Sequence, residues 1–422
     1  VVTVKRTAEA SPYSPLAGDA ARAYHPARRE GVGIATVAEQ GARRGPELAV
    51  RVAQLVTELD PGGAERVVYE LATGLDRRRF EQVVISLQPA TGEFASELSR
   101  AGVRVLSVGM RSKLDVFARA RLARILREEA VQLLHTHMIH ASYLGRRAAR
   151  SAGVRAVIST VHVVERRWRP WHYWADRLTS HLVDVEVCVS EAVRRQTLRR
   201  AGLPPEKVRV ILNGVDPARF RGPFDRAATR RSLGVPENSK LLVSLGRLRW
   251  QKGHDVAVRA LAILLRDDPG IRLAVVGDGP ERSRLARLVE RLGLRDAVRM
   301  TGTRRDVPDV LAAADCVLAP SRYEGFGLAV AEALAAGRPV VASRVDSLCE
   351  LVEDGVSGLL VEPDDPAALA AGALRVLRDG SLAESLGRRG RERAARCFPL
   401  DAMLRAHEAL YEELLRSKGI LP

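Results

Sequence analysis

The chain has 422 residues, 46% of them hydrophobic and 28% charged, which fits globular domains and excludes a wholly disordered chain, a collagen-like repeat or a small disulfide-stapled scaffold. No apolar run approaches the roughly 18 residues of a membrane-spanning helix, and no signal-peptide core is present near the start. The net charge is +16, and residues 48–213 hold 27 Lys/Arg against 17 Asp/Glu, which suits an anionic partner such as a membrane surface, nucleic acid or a phosphorylated substrate.

Residues 1–46 are rich in Ala, Arg, Pro and Gly without a sustained period. They read as a disordered extension or a mis-assigned start. A first domain is expected over 47–212. Its strand-like runs are 48–56, 81–87, 103–108, 131–136, 154–160, 184–189 and 207–212, and helical spacing fills 63–75, 93–101, 114–129 and 191–202. The run NGVDPARFRGP, 213–223, reads as a linker. Alternation restarts over 224–398. Here the strands are 240–245, 271–276, 297–301, 315–319, 338–342 and 358–361, and the helices 253–266, 280–293, 328–336 and 366–378. A charged amphipathic tail, about 381–417, closes the chain, and 399–422 is expected to be a helix crossing back to the first domain. The fold class is α/β: two doubly wound, Rossmann-like parallel-sheet domains facing across a cleft. Ligands of such sheets bind at the carboxyl ends of the strands.

The motifs lie at those ends. Asp60-Pro61-Gly62-Gly63-Ala64-Glu65 joins a strand to a helix and reads either as an anion site or as a tight turn; neither dinucleotide nor P-loop fingerprints occur. Gly246-Arg247 and Gln251-Lys252-Gly253 place two cations five residues apart beside a helix start, which suits a diphosphate. Gly277-Asp278-Gly279-Pro280 is a second strand-to-helix turn. Glu324-Gly325-Phe326-Gly327-Leu328 leads into the apolar run LAVAEALAA, where Glu332 needs a cation or hydroxyls such as those of ribose. His135, His137, His140, His162, His172 and His181 cluster in the first domain. His137 and His162, at strand ends, are expected to face a shared substrate; His135 and His140 read as structural. Zinc is disfavoured because His-Glu-x-x-His and cysteine partners are missing. The scattered Cys188, Cys316, Cys349 and Cys397 read as reduced, cytosolic, structural thiols. Three of the four tryptophans, Trp168, Trp171 and Trp174, stand among arginines in 165–177, as a membrane-interface segment, an acceptor wall or a core cover would.

Taken together, Gly62-Gly63-Ala64-Glu65, Asn213-Gly214-Val215-Asp216, Gly246-Arg247 with Lys252-Gly253, Gly277-Asp278-Gly279-Pro280 and Glu324-x7-Glu332 resemble the retaining glycosyltransferases of family 4, of GT-B fold, over about 48–417. The resemblance implies a nucleotide diphosphate sugar, UDP- or GDP-linked, as donor, with no cofactor and no metal. Arg247 and Lys252 look like the diphosphate cations, Glu332 like the ribose carboxylate, and Glu324 like the carboxylate near the sugar. The amides of Gly325, Phe326, Gly327 and Leu328 are similar to those that line sugar and phosphate. Gly62 and Gly63 would close over the donor, and His162 resembles the active-site histidine. His137 and the three tryptophans are assigned to the acceptor, a glycan or polyprenyl-linked glycolipid. Leu348-Cys349-Glu350 is similar to a segment near base or ribose, with Asp346-Ser347 in place of the usual glycines. The implied setting is cytoplasmic, peripheral on the inner membrane face, in cell-surface polysaccharide or lipopolysaccharide synthesis, without nucleic acid. Two other readings are a nucleotide-sugar 2-epimerase-type isomerase and a non-enzymatic binder of anionic surfaces.

Overall fold

The computed structural model describes residues 49–112, 115–163, 174, 177–200 and 202–422. The first sheet holds β1 (Val50–Val56), β2 (Phe80–Ser86), β3 (Arg104–Ser107), β4 (Leu133–His137), β5 (Ala156–Val161), β6 (Val185–Cys188) and β7 (Val208–Val210). Their spatial order is β3-β2-β1-β4-β5-β6-β7, and every pairing is parallel. The second sheet holds β8 (Lys240–Leu245), β9 (Ile271–Val276), β10 (Val298–Gly302), β11 (Cys316–Ala319), β12 (Val340–Ser343) and β13 (Leu359–Val361). Its order is β10-β9-β8-β11-β12-β13, again all parallel. Helices cover both faces, so the central strands of the second sheet are mostly apolar instead of alternating, whereas β4 of the first carries His135, Thr136 and His137. Each sheet reverses its strand order once, at β1/β4 and at β8/β11, and a doubly wound sheet leaves its ligand crevice at that reversal.

The helices of the tail and several helices outside the expected stretches complete the two halves. The tail over 381–417 holds two helices, Gly380–Cys397 and Leu400–Ser417, the second lying within the helix expected over 399–422. Pro399 stands between them, and a proline inside a helix loses a hydrogen bond and clashes with the preceding turn. Helices also form over Ile139–Ala152, Arg226–Ser232, Val307–Ala313 and Asp346–Leu351, none of which is among the helical stretches expected from the sequence.

The last helix packs on the first sheet. Met403, Leu410, Tyr411, Leu414 and Leu415 are buried with Val50, Val52, Leu133 and Phe80, and the Tyr411 ring meets Phe80 edge-on at 5.6 Å. Two segments therefore join the halves. They run side by side: Val215 N donates to Phe398 O at 3.0 Å, and Leu400 N donates to Val215 O at 3.1 Å. Cys188 and Cys316 are buried, and burial pushes both thiols up to about 12. Cys349 and Cys397 are exposed and unbridged. Among the described residues no helix is long and apolar enough to cross a membrane.

Arg146, on the Ile139–Ala152 helix, donates through Nη2 to Glu186 Oε2 of β6 at 2.6 Å, with both side chains 1% exposed. Its Nε donates to Ser159 Oγ of β5 at 3.0 Å. Removing one partner of such a pair strands a buried charge. Arg146→Met is expected to cost about 3–5 kcal/mol in urea unfolding, whereas Arg146→Met combined with Glu186→Leu costs clearly less than the sum of the single changes.

Candidate active site

The carboxyl ends of the two sheets face one cavity of about 1100 Å³. The turn after β1 and the ends of β4 and β5 form one wall. The turns after β8, β9 and β11 form the other.

The second wall carries the cations. Arg247 lies two residues past β8, and Lys252 closes a short 3-10 turn, Trp250–Lys252. Gly253 ends that turn with φ +66°, and a Cβ there would lie 2.0 Å from the carbonyl oxygen of Pro320. Only glycine lets this turn pack against the turn after β11, which sets Lys252 beside Glu324. Lys252 Nζ donates to Glu324 Oε1 at 2.6 Å, and Ser321 Oγ donates to the same oxygen at 2.7 Å. The loop then enters the Leu328–Ala335 helix, whose N-terminal amides and positive dipole end open on the cavity. Glu332 lies one turn into that helix, 3.5 Å from Arg219 of the linker. Burial raises its carboxyl pKa, and Arg219 and Arg66 oppose the rise.

On the first wall, Glu58 Oε1 accepts from Arg247 Nη1 at 2.9 Å across the cleft. Arg305 and Glu93 form a second bridge between the walls. Glu65 folds back over Gly62: a Cβ on Gly62 would lie 2.2 Å from Glu65 Oε2. Burial pushes the Glu65 carboxyl up to about 7, against the lowering effects of its own backbone N–H and Arg247. The walls pack closely at Gly325, where a Cβ would stand 1.6 Å from the carbonyl oxygen of His162. Ser190 Oγ donates to Gly325 O at 2.6 Å, and Ser347 Oγ donates to Glu324 O at 3.0 Å. Met138, at the end of β4, has φ +70° and ψ +155°, a strained combination usually reserved for glycine and often found at functional sites.

The cavity thus gathers Gly62, Gly63, His162, Arg247, Lys252, Glu324, Gly325, Phe326, Gly327, Leu328 and Glu332. His137 is not among them and is corrected. Its ring is fully buried, with Nδ1 3.0 Å from His162 Nε2 and Nε2 2.9 Å from Gln54 Oε1. It stands behind His162 instead of facing an acceptor. The reason is the face of β4: His135 and His137 point to the side that the last helix covers. His140, read as structural, lines the cavity. Trp174 is 67% exposed and is not a cavity residue. Trp168, Trp171 and His172 lie outside the described residues, as does the extension 1–46. Glu350 is corrected too. It accepts from the backbone N–H groups of Glu191 at 3.0 Å and Ala192 at 2.7 Å, so it caps the Glu191–Arg200 helix of the first half and is not a cavity residue. The sequence reading missed Glu58, Arg219 and Arg305; Glu65 was visible beside the paired glycines. Among the described residues no group of three or more His, Cys, Asp or Glu is arranged around a metal position.

The comparisons with known proteins agree with this architecture. Residues 61–219 match the model described as Glycosyltransferase Family 4, and residues 225–393 match that for Glycosyl transferases group 1. A D-inositol 3-phosphate glycosyltransferase of Saccharomonospora viridis is 33% identical over 80% of this chain and 86% of its own length. The lipopolysaccharide core biosynthesis mannosyltransferase LpsB of Rhizobium meliloti is 36% identical, over 49% of this chain and 61% of its own length. Among solved structures, Anabaena HepE in complex with UDP-glucose superposes with a TM-score of 0.76 at 26% identity, over 86% of this chain and all of that one. Two Rossmann-like halves facing across a cleft are the GT-B architecture. The chain belongs to the group 1 glycosyltransferases, of family 4 type.

Glu65 carries a pH signature. Its folded-state pKa, about 7, lies above the unperturbed 4.5. Its contribution to stability is therefore complete below the unfolded value and is lost as pH rises through the folded one. Glu65→Gln is expected to melt higher than the unchanged protein at pH 8. At pH 4.5 the gap closes, as thermal melts of both proteins without ligand will show.

Proposed function

We propose that the protein transfers a hexose from a nucleoside diphosphate sugar to a hydroxyl of a glycan or polyprenyl-linked glycolipid precursor, with retention at the anomeric carbon and without a divalent metal. The observation that carries this reading is the second wall of the cavity. Arg247 and Lys252 stand beside the N-terminus of the Leu328–Ala335 helix, with Glu324 before the helix and Glu332 one turn inside it. Two cations and a helix N-terminus suit a diphosphate, and a half-buried carboxylate one turn on suits the ribose hydroxyls. The UDP-glucose held by HepE is a donor of this chemistry.

In the reaction, the bond between the anomeric carbon and the diphosphate oxygen breaks, and negative charge grows on the leaving group. Arg247, Lys252 and the helix amides stabilise that charge, the role that a metal ion plays elsewhere. The acceptor oxygen bonds to the anomeric carbon on the same face. Its proton passes to a phosphate oxygen of the departing diphosphate. His162 contacts the sugar from the first wall. Arg247 and Lys252 are each held by a carboxylate, Glu58 and Glu324, and an incoming diphosphate competes with both.

The acceptor side rests on two observations. The basic excess is concentrated in residues 48–213, and Val116, Phe117 and Trp174 of the first half are 80%, 71% and 67% exposed. Exposed apolar side chains with basic neighbours suit an anionic membrane face. The lipopolysaccharide relative supports a cell-surface glycan pathway.

The donor reading is tested by thermal-shift and transfer assays with UDP- and GDP-sugars in EDTA, followed by NMR of the product. One nucleotide class is expected to stabilise the protein, and the product is expected to keep the donor's anomeric configuration. Lys252→Ala should lower kcat by about 100- to 1000-fold. Glu332→Ala should raise the donor KM by about 10- to 100-fold, the worth of hydrogen bonds to a charged group. Full activity in both variants, or an inverted product, would refute the assignment. For the membrane reading, Phe117→Ser combined with Trp174→Ser should lose sedimentation with anionic vesicles and keep donor binding.

A further inference from the structure

Behind His162 lies a buried chain of side chains that ends on the last helix. Gln54 of β1 is fully buried. Its Nε2 donates to Gln82 Oε1 at 3.0 Å and to Tyr411 Oη at 3.1 Å. Both amide protons are used, so Gln54 Oε1 accepts, and the partner 2.9 Å away is His137 Nε2. That nitrogen carries the His137 proton. Burial and the neighbouring histidines hold His137 far below the usual histidine range, so the ring is neutral and its Nδ1 is a lone pair. His162 Nε2, 3.0 Å from that lone pair, is then the protonated partner. The other branch runs the same way. Tyr411 Oη accepts from Gln54 and donates to His135 Nδ1 at 2.6 Å, and His135 Nε2 donates to Thr160 Oγ1 at 2.6 Å. His162 is itself neutral, since burial lowers its pKa to about 3.

We propose that Tyr411 and Gln54 are positioning residues, which act through His137 to hold His162 as its Nε2–H tautomer and so leave Nδ1 as the acceptor that the ring offers to a sugar hydroxyl. The inference rests on the reading that His162 contacts the donor sugar; the tautomer itself does not. The direction of the chain follows from the Gln54 amide: turning it over, together with the Gln82 amide that faces it, would reverse the bonds to Tyr411, His135 and His137 and put the His162 proton on Nδ1. A second-sphere bond that selects a histidine tautomer is a recurrent device of catalytic sites. Here the controlling hydroxyl comes from a helix more than two hundred residues further along the chain. Tyr411 also packs edge-on to Phe80, so Tyr411→Phe removes the hydroxyl and keeps the ring.

The test uses the full-length enzyme with 15N-labelled histidine and long-range 1H–15N spectra, the His162 signals being assigned by their loss in His162→Gln. In the ligand-free protein Nε2 is expected to resonate as a protonated nitrogen and Nδ1 as an unprotonated one. In Tyr411→Phe and in Gln54→Leu the two shifts should move toward each other as the tautomers mix. In transfer assays kcat should fall about 10- to 100-fold, the cost of a misplaced group, with the donor KM within about twofold. Glu408→Ala is the control. It cuts the bond from Asp76 N to Glu408 Oε1, 2.9 Å, on the same helix and should leave the tautomer and kcat unchanged. A His162 proton on Nδ1, an unaltered spectrum in both variants, or an equal kcat loss in Glu408→Ala would overturn the proposal. The spectra need no substrate, so a chain that turned over no sugar nucleotide would refute the donor reading and leave the tautomer result standing.

Discussion

The structure depends on a doubled crossing. Val215 of the linker and Phe398–Leu400 of the return segment hydrogen-bond side by side, so the chain enters and leaves the second half at the same place. A single connection leaves two domains free to swivel about one set of dihedrals. Two paired strands of backbone limit that freedom to a narrower range of hinge motion. The return segment also sets the course of the last helix. Past Pro399 the chain lies under the first sheet, and its helix completes the core of a domain begun about 350 residues earlier in the sequence.

The same topology concentrates the polar chemistry. Parallel strands send all their carboxyl ends to one edge, and the helices that come after them begin there with unpaired amides. Two such edges face each other, so cations, carboxylates and amides converge without any long insertion. The cost is electrostatic. Arg247, Lys252 and Arg305 all line the cleft, the first two partly dehydrated, and each is paired with a carboxylate: Glu58, Glu324 and Glu93. Two of these pairs also bridge the walls. A diphosphate that takes over the Arg247 and Lys252 bonds therefore changes the domain contacts as it binds. Glu65 shows the opposite solution, because its own burial favours the protonated and uncharged form over a paired one.

The histidines show why some of the site was legible and some was not. Val161 is the last residue of β5, and His162 comes directly after it, so its position at the cleft edge comes from counting along a strand. His137 is the last residue of β4 and looks equivalent by the same count. Period-2 alternation places it with His135 on one face, but nothing local says what covers that face. The cover is the Leu400–Ser417 helix, and Tyr411 on it bonds His135 directly. Glu350 differs from what the resemblance implies for a related reason. The resemblance sets its segment near base or ribose, while the carboxylate is taken by the N-terminus of a first-domain helix.

By itself the sequence determined the strand–helix alternation, the two Rossmann-like parallel sheets, the strand-end turns that hold Arg247, Lys252 and Glu324, and the helix that carries Glu332. These are local properties of periodicity, glycine placement and charge, and they need only short windows of chain. Only the tertiary structure decided which strand ends meet, which carboxylate holds each cation, and that His137 lies behind His162 instead of beside it. Those outcomes depend on contacts between residues up to 357 positions apart, such as Gln54 and Tyr411, and a buried polar group finds its hydrogen-bond partner by proximity in space, whatever the separation along the chain.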